Sequence, residues 1–352
     1  MSFLRDCIPL IITIMWQSPG TWRNPCIVHV TMVAKDRQPL FGTLIHNGTS
    51  AEVEKTPLGW VLINEQQRLL QLCPEIRILA DKVMPDHHHL ILQVTSTMPR
   101  SIKEVVRGYM QGCKKAAAQL GYTEPLFDDA PHFRVLTHKG QLKAMINYVY
   151  ANVERSWLKH QHPELFQLKR ETTCSVSSVG IGSQPSILLR FSSMGNHWLL
   201  DWPERQFIEM SRSATDDQIN ETIQSTLTHA KNGSITITAA VSEGEKRVAR
   251  AVREGGYPLV VLLTEGFPKQ GSEAEHFYKP GGVYFNICAA GKLLLLEPTE
   301  DTFLLPIVIA AVEKAAIKKA EDKHLEYVPI PQDSKRWRFL ALNQIGKMIA
   351  EK

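Results

Sequence analysis

The sequence has 352 residues, more than one ordinary hydrophobic core accommodates, so about two domains are expected. With 43% hydrophobic and 22% charged residues, the composition excludes a fibrous or mostly disordered chain. The six cysteines form no CxxC pair, which disfavours a zinc ribbon or a disulfide framework and favours a cytoplasmic setting. The apolar stretch at residues 8–16 is too short to span a bilayer, so no membrane association is expected.

The first half of the chain predicts an α+β, ferredoxin-like domain over residues 24–168, preceded by an N-terminal extension at residues 1–23. Its expected elements, in chain order, are a strand at 26–33, a helix at 57–72, strands at 76–83 and 88–94, a helix at 102–120, a strand at 133–137 and a helix at about 141–160. Ser101 and Glu104 form the capping-box pattern that opens the second helix. The order β-α-β-β-α-β-α predicts one sheet covered by helices.

A linker is predicted at residues 169–185, where Ser, Thr and Gly replace periodic apolar residues. Up to residue 173 the chain has 20 Lys and Arg against 15 Asp and Glu, and after it 20 against 21. The positive excess therefore lies in the first half, where we expect any contact with a polyanion.

The second half predicts an α/β, Rossmann-like domain with a parallel sheet over residues 186–330, followed by a C-terminal tail at 331–352. Strands are expected at 186–191, 206–210, 233–238, 259–263 and 292–297, alternating with helices near 216–231, 243–254 and 302–322. The continuous apolar run at 259–263 is typical of a strand buried on both faces of a parallel sheet.

Three consecutive histidines, His87, His88 and His89, fall at the start of an expected strand. Because strand side chains alternate, His87 and His89 share one face at about 7 Å spacing, while His88 points to the other. Two imidazoles on one face can bind one metal ion, although an isolated HxH pattern is more often a surface run or a core histidine. The second such pattern, at residues 160–162, ends a helix and is assigned no function.

Tyr148 and Asn152 are four residues apart on the last helix of the first half and therefore share a helix face. That face could present a phenol and an amide oxygen together. From periodicity alone, however, Tyr148 is interpreted as a buried packing residue.

Three blocks of the first half resemble the single-tyrosine HUH transposases, especially the REP-associated tyrosine transposases. They are residues 30–31 with residues 37–41, residues 83–92 with the histidines, and residues 146–153 with the tyrosine, and the resemblance covers about residues 24–165. It implies that His87 and His89 bind a divalent metal, that Tyr148 attacks DNA and that Asn152 is a third ligand. The chain departs from the family pattern at His88, where an apolar residue is usual, and in the helix block, which lacks a histidine and a proline.

The resemblance implies a metal-dependent enzyme that uses Mg²⁺ or Mn²⁺, cleaves and rejoins single-stranded or hairpin DNA through a 5′-phosphotyrosine, and takes part in DNA transposition as a homodimer. A phenol is a poor nucleophile at neutral pH, so a nearby metal ion suits this chemistry. Two alternatives stay open. One is a non-catalytic DNA- or nucleotide-binding regulator with a vestigial tyrosine site, and the other is a histidine-rich metal hydrolase unrelated to DNA.

The second half, over about residues 186–300, is similar to the Rossmann-like domain of DNA-processing protein A and its SLOG relatives. The similarity implies a cleft for a nucleotide-like ligand, lined by four residues at the ends of strands and the start of a helix: Ser211, Arg212, Ser242 and Lys246. A helix N-terminus suits an anion because unpaired N–H groups point there. Glu243 and Glu245 at the same position would repel a phosphate, so a structural or DNA-holding role is the alternative.

Overall fold

The computed structural model describes residues 22–176, 186–268 and 283–352. The contacts within the chain divide it into two compact units, Met1–His160 and Gln161–Lys352. Both units combine helices with β-sheets, so the protein is mixed α/β. Within the described ranges, no helix has the length and apolar character needed to cross a membrane.

The first unit contains a four-stranded sheet with antiparallel neighbours. Its elements are β1 (Cys26–Val33), β2 (Gly42–His46), β3 (Ala51–Lys55), α1 (Pro57–Leu72), β4 (Ile76–Val83), β5 (His87–Val94), α2 (Ile102–Gln119), β6 (His132–Val135) and α3 (Gln141–Gln161). The sheet order is β4-β5-β1-β6, and β2 and β3 form a separate hairpin. The expected elements of this half are present with ends shifted by at most two residues, whereas the hairpin was not expected.

The two faces of this sheet are covered differently. One face packs against α1 and α2 in a large apolar core, and α2 begins at the Ser101–Glu104 capping box. The other face holds a smaller cluster in which α3 contributes Leu142, Met145 and Val149. This helix packs on Ile27 of β1 and Ile91 of β5. The next residues on the same face of these strands, His29 and His89, therefore lie beside α3.

The second unit contains a six-stranded mixed sheet. Its elements are a 3-10 helix (Pro163–Phe166), β7 (Lys169–Val176), β8 (Ile187–Gly195), a second 3-10 helix (His197–Asp201), β9 (Arg205–Ile208), α4 (Asp216–Lys231), β10 (Ile235–Thr238), α5 (Glu243–Glu254), β11 (Leu259–Leu262), α6 (Phe285–Ala289), β12 (Leu293–Pro298), α7 (Glu300–Phe303), α8 (Pro306–Glu321) and α9 (Lys335–Ala350). The order is β7-β8-β12-β11-β10-β9. Strands β9 to β12 are parallel, and β8 and β7 are antiparallel additions at one side.

The predicted linker at residues 169–185 is corrected in its first part, because residues 169–176 form β7 and pair with β8. Thr172, Cys174 and Val176 are buried in alternation, the pattern of a strand with one face on a core. Residues 177–185 lie outside the described residues, as do residues 1–21 of the predicted extension. The last two residues of the predicted extension, Trp22 and Arg23, accept backbone hydrogen bonds from the α2 region, so they belong to the first unit.

The C-terminal end of the chain also differs from expectation in two places. The tail at 331–352, expected to be mixed with a short helix near Trp337, consists largely of the 16-residue helix α9, which buries Trp337, Leu342 and Ile345 in the core of the second unit. The helix expected over 302–322 is divided into α7 and α8. Pro306 restricts the preceding residue to extended conformations, and Leu305 has φ −60° and ψ 133°, so the helix must restart at the proline.

Candidate functional site

The three histidines of β5 point to opposite faces of the sheet, as strand alternation predicts. Nε2 of His87 lies 3.0 Å from Nε2 of His89. His88 is fully buried on the other face, where its Nδ1–H donates to the Tyr109 hydroxyl at 3.1 Å, and that hydroxyl donates to the Leu62 carbonyl at 2.9 Å. His87 and His89 therefore form a pair, and His88 belongs to the core under α1 and α2.

Asp86 orients the first member of the pair. Its Oδ1 accepts a hydrogen bond from Nδ1 of His87 at 2.6 Å, and its Oδ2 accepts one from the Arg37 guanidinium at 3.0 Å. Burial would raise the pKa of Asp86, but the hydrogen bond and charge of His87, together with Arg37, outweigh it and lower the pKa below its ordinary value. Asp86 is therefore an ionised acceptor that keeps the Nδ1 proton on His87 and leaves Nε2 free to bind a metal.

Two residues of β1 hold the second member of the pair. Thr31 is directly opposite His89 in the strand register, and its Oγ1 lies 3.0 Å from Nδ1 of His89. Nε2 of His29 lies 3.0 Å from the same Nδ1. Nδ1 of His89 is thus engaged on the β1 side, while Nε2 faces His87.

Burial keeps the inner imidazoles neutral at physiological pH. It lowers the pKa of His89 to about 2, with further contributions from His87 and His29. Burial, and then the nearby charges of His132 and Arg134, also lower the pKa of His29 to about 4. A neutral imidazole is the form that binds a metal ion, so this environment suits a ligand.

Tyr148 lies over this histidine cluster. Its ring centroid is 5.8 Å from that of His89 and 6.2 Å from that of His29, both in edge-to-face arrangements. The side chain is 40% exposed, so it is not the core residue that periodicity alone suggests. Tyr150 is 53% exposed, and partial burial and then the charge of Asp81 on β4 raise its pKa.

Asn152 follows Tyr148 by one helical turn and is partly buried. Its Nδ2 atom is buried and has no hydrogen-bond partner. A side-chain amide can exchange its oxygen and nitrogen positions by rotation, so an acceptor can occupy this place. This unsatisfied amide is the feature of Asn152 that fits the third-ligand role implied by the family resemblance.

The donor set fits a small divalent cation. Adjacent ligands of an octahedral ion with bonds of about 2.1 Å lie about 3.0 Å apart, which matches the Nε2 to Nε2 distance of His87 and His89. Within residues 22–176, 186–268 and 283–352, no three His, Cys, Asp or Glu side chains converge on one metal position. A metal bound here would therefore need a third ligand of another type, such as the amide oxygen of Asn152.

The start of α5, expected to face a ligand in the second unit, is bonded by a side chain of the same helix. The carboxylate of Glu245, which is 2% exposed, accepts hydrogen bonds from the backbone N–H groups of Met210 at 3.0 Å, Val241 at 2.7 Å and Ser242 at 3.0 Å. The Ser242 hydroxyl accepts from the Glu245 N–H and caps the helix. The N–H groups of Met210, Val241, Ser242 and Glu245 therefore already have an acceptor.

The other three predicted ligand residues have separate surroundings. The Ser211 hydroxyl is 2.9 Å from that of Ser213, and the Arg212 guanidinium lies 5.9 Å from the centre of the Phe339 ring. Lys246 is exposed on α5. No contact among the described residues joins these three side chains into one site.

Sequence reasoning missed three residues of the first unit's site: His29, Thr31 and Asp86. The signal for the first two was present, because His29 and Thr31 are alternate polar residues in the otherwise apolar strand β1. Their partner could not be read from the sequence, since it depends on the register between β1 and β5.

No protein-family model and no curated protein matches the sequence. Solved structures with partial similarity include a REP-associated tyrosine transposase bound to a REP hairpin (13% identity, 39% of this chain, 68% of that chain, TM-score 0.27). A second is a putative transposase from Deinococcus radiodurans R1 (16% identity, 37% of this chain, 92% of that chain, TM-score 0.25). A third is DNA processing protein A from Helicobacter pylori (18% identity, 38% of this chain, 62% of that chain, TM-score 0.25), a protein described with a single-stranded DNA binding mode. The alignment with DNA processing protein A thus spans less than two thirds of that chain.

Proposed function

We propose that this protein is a metal-dependent, transposase-like enzyme that cleaves and rejoins single-stranded DNA, with Tyr148 forming a 5′-phosphotyrosine bond. The observation that carries the proposal is the position of the Tyr148 ring, 5.8 Å from the ring of His89, whose Nε2 is 3.0 Å from that of His87. A nucleophile and a candidate metal-binding pair, contributed by elements distant in sequence, meet on one face of a sheet.

The topology of both units supports the proposal. The order β4-β5-β1-β6 with antiparallel neighbours corresponds to a ferredoxin-like sheet, the fold that the resemblance to HUH transposases implies. The parallel strands β9 to β12, connected through helices, are typical of a Rossmann-like unit. A nucleotide-like ligand at α5 is not included in the proposal, because the Glu245 carboxylate occupies three N–H groups beside the start of this helix.

His87 and His89 would hold Mg²⁺ or Mn²⁺ through their Nε2 atoms, with Asn152 as an additional ligand. A divalent ion bound there would polarise the scissile phosphate and stabilise the negative charge that develops on its oxygens. Asp86, Thr31 and His29 keep the Nδ1 atoms of the two histidines engaged, so that both Nε2 atoms face the same position.

The reaction itself is carried by Tyr148. Its hydroxyl oxygen attacks the phosphorus, forming an O–P bond to the 5′ side of the break, and the bond from phosphorus to the 3′ oxygen is broken. The phenol loses its proton to solvent, which reaches the 40% exposed side chain, and the 3′ oxygen takes up a proton to become a hydroxyl. Because the phosphotyrosine is still a phosphodiester, attack by a 3′-hydroxyl can rejoin strands without ATP.

A covalent-adduct assay tests this function. The full chain is incubated with single-stranded hairpin DNA labelled at its 3′ end, with Mg²⁺, Mn²⁺ or excess EDTA, and the products are separated on a denaturing gel. We expect a labelled protein–DNA species that requires the metal. Cleavage without a protein-linked product would support a metal hydrolase, and DNA binding without cleavage in either metal would support the non-catalytic regulator.

A further inference from the structure

The strand registers place basic side chains on both sides of the histidine pair. In β4, Lys82 is directly opposite His89, and in β6, His132 is directly opposite Thr31. Since directly opposed residues of antiparallel strands project to the same face, Lys82, His89, Thr31 and His132 form one row across all four strands. Arg134 extends this surface beside His29, its register partner.

The arrangement of apolar residues agrees with this facing. Phe133 and Val135, which alternate with the basic residues of β6, pack against the core on the other face. Leu136 and Ala80, which share the parity of Arg134 and Lys82, join the cluster under α3. The basic side chains therefore lie on the same face as Tyr148.

This surface has the charge that a polyanion requires. His132 and Arg134 are exposed, and Lys82 is partly exposed. In the part of the chain that the structure describes, neither Lys82 nor Arg134 forms an ion pair with a carboxylate. Neighbouring strands are about 4.8 Å apart, so these groups lie one to two strand spacings from His89, close enough to contact the same short stretch of DNA.

We propose that Lys82 and Arg134, with His132 as an additional hydrogen-bond donor, bind backbone phosphates of single-stranded DNA on either side of the phosphate that Tyr148 attacks. The strand would then cross the sheet from β6 to β4, approximately perpendicular to the β-strands. This inference rests on the proposed function, because it takes the histidine pair as the position of the scissile phosphate.

Salt-dependent binding tests the inference on the full chain. Binding of a fluorescent single-stranded oligonucleotide is measured over a range of salt concentrations for wild type, Lys82→Gln, Arg134→Gln and the double variant. Arg107→Gln is the matched control, since Arg107 is an exposed cation on α2, which covers the other face of the sheet. Thermal melting and Mn²⁺ titration establish that each variant retains its fold and its metal site.

Each single variant should bind about tenfold more weakly at low salt, and the log-log salt slope should fall by about 0.7 for each lost phosphate contact. The double variant should lose about twice that slope, while Arg107→Gln resembles wild type. Slopes and affinities equal to those of the control, or a wild type that binds no single-stranded DNA, would overturn the inference.

The outcome separates this inference from the proposed function. If Lys82→Gln and Arg134→Gln weaken DNA binding but wild type forms no covalent adduct, the assignment of Lys82 and Arg134 to DNA binding stands and the phosphotyrosine mechanism is wrong. If wild type forms the adduct and both variants bind DNA like the control, the mechanism stands and the assignment of Lys82 and Arg134 to DNA binding is wrong.

Discussion

At the scale of single residues, the proton positions of the two imidazoles decide whether they can bind a metal. Each neutral ring carries one N–H, and both Nε2 atoms must be unprotonated to act as ligands. The Nδ1 proton of His87 has Asp86 as its acceptor, and that of His89 has Thr31 or His29. The partners of the Nδ1 atoms therefore select the tautomer in which both Nε2 atoms can bind the same ion.

We predict that replacing His87 or His89 with Ala abolishes Mn²⁺ binding, because either change removes one of the two facing Nε2 atoms. His88→Ala should leave Mn²⁺ binding in place. It should lower the free energy of unfolding by about 2–4 kcal/mol, because it leaves a cavity in the core and removes the imidazole N–H that donates to the Tyr109 hydroxyl. Calorimetric Mn²⁺ titration and urea unfolding measure the two effects separately. Loss of Mn²⁺ binding in a folded His88→Ala protein would refute the assigned facing.

We predict that His29→Ala weakens Mn²⁺ binding about tenfold or more, because it removes a group that holds Nδ1 of His89. His46→Ala is a suitable control, since His46 lies on β2 and stacks on Trp157, away from the histidine cluster. Calorimetric titration with Mn²⁺ measures both. Equal affinity in His29→Ala and wild type would show that Thr31 alone is sufficient to position His89.

At the scale of secondary-structure elements, α5 shows how a helix start can satisfy its own N–H groups. Glu245 bonds two N–H groups preceding the helix and a third, that of Met210, two residues after β9. This arrangement joins the segment after β9 to the start of α5 and gives these three N–H groups an internal acceptor.

We predict that Glu245→Ala lowers the free energy of unfolding by about 2–4 kcal/mol, since three backbone N–H groups lose their acceptor. Glu243→Ala is the matched control, because it removes the same charge from an exposed position in the same helical turn. Urea denaturation of the two variants measures the difference. Equal destabilisation would mean that the charge at the helix start, and not the buried hydrogen bonds, is responsible.

Helices and strands with strong local signals could be predicted from the sequence. The helix α4 has the predicted bounds, and β11 ends one residue before its predicted end. The hairpin β2–β3 could not be predicted with the same rules, because its alternation is short and largely polar. Strand β7 carried a usable signal in its alternating Thr172, Cys174 and Val176, which the surrounding Ser and Thr residues obscured.

The candidate site was predictable to a similar extent. Strand alternation predicted that His87 and His89 share one face of the sheet, and the family resemblance implied Tyr148 as the nucleophile. Contacts that depend on tertiary register were not predictable, including those of His29 and Thr31 with His89. The same is true of Glu245, whose carboxylate accepts from the Met210 N–H, two residues after β9.

At the scale of the whole molecule, the position of β7 determines where the chain can be divided. The first unit ends at His160, and residues 169–176 are paired with β8 of the second unit. A division inside the Ser- and Thr-rich segment would therefore cut or remove a strand of the second sheet.

We predict that a fragment of residues 163–352 folds, whereas a fragment of residues 186–352 has a lower melting temperature. The shorter fragment lacks β7 and exposes the edge of β8 together with the core positions that Cys174 and Val176 cover. Thermal unfolding followed by circular dichroism compares the two. Equal melting temperatures would show that β7 adds no stability to the second unit.

The central claim is that Tyr148 is the nucleophile, and the most direct test is the covalent adduct formed by two tyrosine variants with hairpin DNA and Mn²⁺. Tyr148→Phe keeps the ring beside His29 and His89 and removes only the hydroxyl, so we expect wild-type Mn²⁺ binding and no adduct. Tyr150 lies two residues further along the same helix, about 200° around it, so Tyr150→Phe should form the adduct as wild type does. An adduct that persists in Tyr148→Phe would contradict the account.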